Sequence, residues 1–362
     1  MKIAVIKETR QFEERVSCTP EIAKKLIGIG FKVSIESNAG SASSYADEDY
    51  KKVGVEIVKT QKSLLSSAEI VFAVIRPELK VVRSLKKGTI LICQMESHLN
   101  TDEIKEFSKM GIISFALELV PRISRAQSMD VLSSQSNLAG YRAVIEASQI
   151  YRKAFPMMMT AAGTIPPARV LVMGAGVAGL QAIATAKRMG AIVFATDVRI
   201  ASKEQVESLG GKFLTVEGSE NLETESGYAK EASDEFKKKQ EDLLCETLKK
   251  IDIVICTALI PGKKAPLIIK EKMINDMQPG SIIYDLAASQ GGNAAYTKVD
   301  EIVEKNGVTI LGEKNILNKL PVSASNLYAK NLFNFVLNLY DKKNNKININ
   351  LEDEIINKSL VK

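Results

Sequence analysis

A chain of 362 residues can bury a large core, and that length usually means two domains. Hydrophobic residues at 45% and charged residues at 25% are ordinary for a globular protein, and no apolar run approaches the about 18 residues a membrane helix needs. The net charge of +6 comes from dispersed lysines and aromatic residues are only 6%, which speaks against a nucleic-acid surface, while a single histidine, His98, speaks against histidine-built metal sites and histidine-centred triads.

The first third alternates strand-like and helix-like segments. Lys2–Ile6 reads as a strand, and charge follows at once at Lys7 and Glu8, so no signal peptide is expected. A helix follows with Thr19 as N-cap and Pro20 at its first position, then a strand over Phe31–Glu36. Further strands are expected over Glu69–Val74, Thr89–Gln94 and Ile112–Glu118, with a helix from about Thr101 to Lys109. Such alternation builds a parallel sheet covered by helices. A long helix from about Ser133 to Phe155 leads to Thr164-Ile-Pro166-Pro167, after which a second set of strand–helix units begins.

That second set opens on the most informative segment of the chain. Ala168–Met173 reads as a buried strand, Gly174-Ala175-Gly176-Val177-Ala-Gly179 as a glycine-rich turn, and the residues after it as a helix. Gly174 permits the sharp turn off the strand, Gly176 lets the backbone approach a pyrophosphate with no Cβ in the way, and Gly179 lets the helix pack tightly on the sheet. The first-turn amides of that helix then face the anion. Asp197 ends the next apolar run, Ala191–Thr196, and stands 23 residues beyond Gly174. Roughly 20 is the spacing expected of the carboxylate that binds the adenosine ribose 2′-OH. A carboxylate there repels a 2′-phosphate, which selects NAD(H) over NADP(H). Val198 and Arg199 follow it, and a basic residue so near can itself accept a 2′-phosphate. A glycine-rich turn alone also serves packing; the strand before, the helix after and the acid at this spacing make the dinucleotide reading.

Later strands are expected over Ile251–Cys256 and Ser281–Tyr284. Ahead of these later strands, Val216–Asp234 is polar, acidic and glycine-containing with little periodicity, and loops of that length tend to be functional. The C-terminal helix, Ser325–Leu339, is strongly apolar on one side and is expected to pack on the core. Cys18, Cys93, Cys245 and Cys256 form no CxxC pair and read as buried thiols in a reducing compartment. The expected fold is α/β, with two doubly wound Rossmann-like domains, parallel sheets and an interdomain cleft. Residues 1–136 with 321–362 make one domain, closed by the C-terminal helix; residues 137–320 make the NAD(H)-binding one.

Several stretches together carry a family resemblance: Lys7-Glu-Thr, Arg15-Val-Ser-Cys-Thr-Pro, Pro121-Arg-Ile-Ser-Arg-Ala-Gln-Ser-Met-Asp130, Ser134-Gln-Ser-Asn-Leu-Ala-Gly-Tyr-Arg-Ala and Thr257-Ala-Leu-Ile-Pro-Gly262. From Met1 to about Val361 the chain resembles the NAD(H)-binding domain I, or alpha-1 subunit, of proton-translocating NAD(P) transhydrogenases, within a superfamily that includes alanine dehydrogenase. Its sharpest motif is the loop with Arg122, Gln127 and Asp130, which the wider superfamily does not share.

The resemblance implies that Arg122 pairs as a planar fork with a dinucleotide phosphate, that Gln127 bridges toward the second nucleotide, and that Asp130 with Ser133 holds the nicotinamide carboxamide. On the residues alone, each of these could be a solvated loop residue. Gly227 and Tyr228 resemble the family's mobile loop, whose tyrosine closes over bound nucleotide, while Gln240 and Leu259 match positions lining the adenosine side. Alanine dehydrogenases carry Arg, Lys, His and Asp around their substrate, because reductive amination needs a titratable group near the carbonyl. This chain keeps the arginine, as Arg15. It has Ala73-Val-Ile-Arg-Pro77 in place of a Lys-Val-Lys-Glu-Pro-like stretch, and Ser289 in place of an acid before Gln-Gly-Gly. His98 falls within a residue or two of their histidine, and its role is open. Hydride transfer between two nicotinamides needs no acid or base, only two rings held roughly 3–3.5 Å apart. One fingerprint implies one nucleotide here, so NADP(H) must sit on another polypeptide. The implied partners are an NADP-binding domain III and membrane-spanning subunits, with this chain a homodimer in the cytoplasm, peripheral on the inner membrane through those partners. A self-contained alanine dehydrogenase-like enzyme is the alternative.

Overall fold

The computed structural model describes residues 1–216, 234–259 and 262–362, with residues 234–237 described by their backbone alone. The chain divides into two compact units, Met1–Gln135 with Leu317–Lys362, and Ser136–Ile316. Each is built on a seven-stranded, mainly parallel sheet, an α/β architecture in both cases.

In the first unit the strands lie in the order Leu360–Val361, Ile113–Ala116, Ile90–Gln94, Ile70–Ile75, Lys2–Val5, Lys32–Glu36 and Glu56–Val58. All neighbours are parallel except the first pair. The central strand Ile70–Ile75 is buried at every position but the last, the unbroken apolar run that a strand covered on both faces requires. The apolar side of the helix Pro321–Leu339 packs on one face, where Phe115 and Phe335 meet edge to face at 5.4 Å. Helix Pro20–Gly28 starts where Thr19 and Pro20 predict, but the Thr19 hydroxyl is buried without a hydrogen-bond partner and caps nothing.

The second unit orders its strands Lys212–Phe213, Ile192–Thr196, Arg169–Met173, Ile253–Cys256, Ile282–Asp285, Val308–Leu311 and Ile302–Lys305, all parallel except the last pair. The order reverses at Arg169–Met173, flanked by the second strand on one side and the fourth on the other. Ligands of open α/β sheets bind outside the carboxyl ends of the strands at such a point.

Several details differ from the sequence reading. The long helix runs Val131–Ile150 and stops short of Phe155, because Pro156 disfavours helix in the residue before it and Tyr151 and Phe155 instead turn in and pack edge to face. A short exposed hairpin, Met158–Thr160 with Gly163–Ile165, follows it. The edge hairpin Ile302–Lys305/Val308–Leu311 turns on Asn306-Gly307, both in the left-handed region at φ 50° and 77°. Cys18, Cys93 and Cys256 are buried as expected, and burial pushes the Cys18 thiol up to about 12; Cys245, on the helix Asp234–Leu248, is only half-buried because that helix has one face in solvent.

Candidate functional site

The glycine turn sits at the carboxyl end of Arg169–Met173, and each glycine has its own steric reason. Gly174 has φ +94°, and a Cβ there would lie 2.7 Å from the Thr257 hydroxyl. That hydroxyl donates to the carbonyls of Met173 and Gly174, at 3.0 and 2.9 Å, tying the turn to the end of the neighbouring strand. A Cβ on Gly179 would come within 1.8 Å of the Gly174 carbonyl oxygen, so the helix Val177–Arg188 rests on the turn as closely as backbone allows. At Gly176 the result is the opposite: a Cβ would meet no atom of the described residues within 4 Å. The space beside Gly176 is therefore open among the described residues. The first amides of a helix have no partner within it, and this helix begins at Val177, directly after Gly176, a combination suited to a phosphate anion. Ala175 is buried and Val177, the first helical residue, is exposed.

Asp197 returns to this turn. Its Oδ2 accepts the Ala175 amide at 2.7 Å, and its Oδ1 accepts the Arg199 amide at 2.8 Å. The Arg199 guanidinium closes on the same carboxylate through Nε at 2.9 Å and Nη2 at 2.9 Å. Burial pushes the Asp197 carboxyl up, but Arg199 and the two amides outweigh it and hold it below the usual carboxylate range. Asp197 and Val198 share a pocket with Gln240, walled by Phe213, Leu243 and Leu244. The carboxylate is thus ionised at the tip of the second strand, beside the small recess that these side chains line. Leu259 lies on the exposed run after Ile253–Cys256 and does not line that pocket.

Because Arg199 is bound to Asp197, the two are expected to bear jointly on nucleotide choice. In an Asp197→Ala variant the guanidinium loses that carboxylate and the repulsion of a 2′-phosphate disappears together. A hydrogen bond to a charged group is worth about 1.5–3 kcal/mol, so the ratio of NADH to NADPH affinity is expected to fall by roughly 10- to 100-fold in titration calorimetry. An unchanged ratio would remove Asp197 from selectivity.

The other expected residues lie in the first unit. Arg122 and Gln127 are exposed, Gln127 within the 3₁₀ segment Ser124–Met129. Asp130 and Ser133 do come together: Oδ1 of Asp130 accepts the Ser133 amide at 2.8 Å and Oδ2 accepts its hydroxyl at 2.5 Å. That pair caps the start of the helix Val131–Ile150, a local structural task beside any contact with a ligand. His98 sits in an exposed turn. Gly227 and Tyr228, with most of Val216–Asp234, lie outside the described residues.

Three residues that shape the site were not singled out from sequence. A Cβ on Gly140 would fall 2.0 Å from the Ala178 carbonyl oxygen, so the helix Val131–Ile150 crosses the fingerprint helix at backbone contact; an isolated glycine inside a helical pattern is the signal that was there to find. Asp285, wholly buried, accepts the amides of Ala287, Asn293 and Ala294 and the Thr297 hydroxyl. Asn293 in turn brackets Ala258, accepting its amide at 3.0 Å and donating to its carbonyl at 2.9 Å. Together they fix the strand-end loop that carries Thr257 to the glycine turn.

Arg15, the one residue kept from the alanine dehydrogenase set, is buried with its fork already filled. Nε and Nη2 pair with the two oxygens of Glu13 at 2.7 and 2.6 Å, and Nη1 donates to Gln135 at 2.9 Å.

Two family models cover the chain, "Alanine dehydrogenase/PNT, N-terminal domain" over residues 4–139 and "Alanine dehydrogenase/PNT, C-terminal domain" over residues 143–362. The chain is 51% identical to an NAD(P) transhydrogenase alpha subunit of Rhodospirillum rubrum, over all of this chain and 96% of that one. A crystal structure of transhydrogenase from Sinorhizobium meliloti superposes with a TM-score of 0.91 at 43% identity, covering 99% of this chain and 98% of that one. An alanine dehydrogenase of Methanococcus maripaludis stands further off, at 30% identity over 81% of this chain and 74% of its own length. The chain belongs to the alanine dehydrogenase/PNT family and, within it, to the family of NAD(P) transhydrogenase alpha subunits.

Proposed function

We propose that this chain binds NAD(H) on its glycine turn and passes hydride between that nucleotide and NADP(H) held by a partner polypeptide. The observation that carries the reading is the turn itself: open space at Gly176 among the described residues at the start of a helix, with an ionised Asp197 at the neighbouring strand end. When bound, the nicotinamide supplies the hydride; the task of the chain is placement. Gly174, Ala175, Gly176, Val177 and Gly179 receive the pyrophosphate, Asp197 the ribose hydroxyl with Val198 and Arg199 behind it, and Gln240 and Leu259 the adenosine side. Arg122 takes a phosphate, Asp130 and Ser133 the carboxamide through their remaining lone pairs, and Gln127 reaches toward the second nucleotide. Support for a partner comes from the relatives, which are named as subunits.

The filled fork of Arg15 weighs against the alanine dehydrogenase reading, because a substrate carboxylate would have to displace Glu13 from a buried bidentate pair. The purified chain is expected to form no alanine from pyruvate, ammonium and NADH, yet to reduce an NADP⁺ analogue once an NADP-binding partner is added. Robust alanine formation would overturn this choice.

The chain is further proposed to act as a homodimer. The hairpin near Met158–Ile165 exposes Met157, Met158, Met159 and Ile165, apolar area that a second copy would cover. Sedimentation is expected to give the mass of two chains, shifting toward one when Met157 and Met159 are replaced by Ser; a monomeric parent chain would refute it. Among the described residues no helix is long and apolar enough to cross a membrane. From the relatives' being named as subunits, we propose that membrane-spanning partners hold the chain at the cytoplasmic side of the inner membrane and couple transfer to proton movement.

A further inference from the structure

The helix Pro321–Leu339 buries one side in the core, but its flank carries three asparagines at spacings of three and four, Asn331, Asn334 and Asn338, which share a face. Packing alone gives no reason for amides there. Asn331 and Asn334 both donate to the Ser128 carbonyl, at 2.8 and 3.1 Å, filling both of its lone pairs. Asn331 also accepts the Ser134 hydroxyl at 2.6 Å. Asn338 accepts from Arg125 at 3.3 Å, and Arg125 forks onto Asp353 through two bonds of 2.8 Å. Ala126 and Met129 are buried in the core beneath. The 3₁₀ segment is thus held on both sides of Gln127, by the Arg125–Asp353 ion pair two residues before it and the doubly bonded Ser128 carbonyl after it, while Gln127 itself is left exposed.

We propose that Asn331, Asn334 and Asn338, with Asp353, are positioning residues that fix the backbone on both sides of Gln127 and so set its reach toward the second nucleotide. This rests on the reading of Gln127 given above. The C-terminal helix then has a second role besides closing the core: it is the ruler against which the transfer loop is set.

The test is a double-mutant cycle in single-turnover hydride transfer, using the full chain, NADH and an NADP-binding partner. Asn334→Ala removes one bond to Ser128 and is expected to slow transfer by about tenfold, a fraction of the roughly 10²-fold that 1 Å of misplacement brings, with NADH affinity changed less than twofold. Asp353→Asn loosens the Arg125 fork while keeping a residue able to cap the helix Glu354–Ser359, and covers the case in which Asn334→Ala folds poorly. In a Gln127→Ala background neither change is expected to slow transfer further, since both act through Gln127. A role in stability alone would leave the two effects additive, or would lower NADH affinity and melting temperature without a specific loss of rate; either result overturns the proposal, as does an unchanged rate in both variants. If Gln127→Ala by itself transfers hydride at the parent rate, the reading of Gln127 fails first.

Discussion

Gly176→Ala is expected to leave the fold intact and to cost NADH binding. A methyl group at this position meets no atom of the described residues within 4 Å, and the residue has a negative φ of −77°, so none of those neighbours must give and the backbone is unstrained. Replacing glycine where alanine fits restricts the unfolded chain and stabilises by about 0.4–1 kcal/mol, so the melting temperature should hold or rise slightly. The same methyl projects into the space assigned to the pyrophosphate, and overpacking of that order costs about 1–3 kcal/mol, a loss of roughly five- to 150-fold in affinity. Gly179→Ala is the contrasting control. Its Cβ would stand 1.8 Å from the Gly174 carbonyl oxygen, which is backbone, so both stability and binding should fall. Calorimetry and thermal melts on the two variants separate space kept for a ligand from space needed for packing. Tight NADH binding by Gly176→Ala would place the pyrophosphate elsewhere.

Gln127→Asn is expected to damage transfer and spare binding. The substitution keeps the amide and shortens its reach by one methylene, from an exposed position on a short 3₁₀ segment. If Gln127 helps to align two nicotinamides, misplacement of about 1 Å is the harm, and that costs on the order of 10²-fold in rate. NADH affinity of the isolated variant should barely move. A transition-state defect without a binding defect is the signature of an interaction made only during transfer. A parent rate, or a loss wholly explained by weaker NADH binding, would take Gln127 out of the contact with the second nucleotide.

The features of this site that were legible in the sequence are those whose causes are local. Gly174, Gly176 and Gly179 answer to a turn, an open space and a helix within six residues of one another, and each reason can be stated from spacing. Asp197 was legible as an acid at a strand end. That Arg199 folds back onto it was not, because a basic residue two positions away could as well point to solvent. Asp285 and Asn293 escaped notice because their work depends on which strand ends lie side by side, and nothing near them in sequence says that Ala258 is the neighbour. The strand Leu360–Val361 pairs with Ser114 and Phe115 from the far end of the chain, and two residues carry no period. The hairpin at Asn306-Gly307 is a different case: the dipeptide between two apolar runs is a strong hairpin signal and could have been read. Arg122, Gln127 and Asp130 show no pattern of their own; only the family resemblance drew attention to them.

Placement without acid or base chemistry has one direct consequence. Hydrogen should move between the two nucleotides without passing through water. The decisive measurement starts from NADH carrying deuterium at the transferred position, mixed with NADP⁺, this chain and an NADP-binding partner in ordinary water. The label is expected to arrive quantitatively on NADPH, on one face of the ring, and only when both proteins are present. Label lost to solvent, or NADPH formed without the partner, would contradict direct transfer from a nucleotide held by this chain to one held by another.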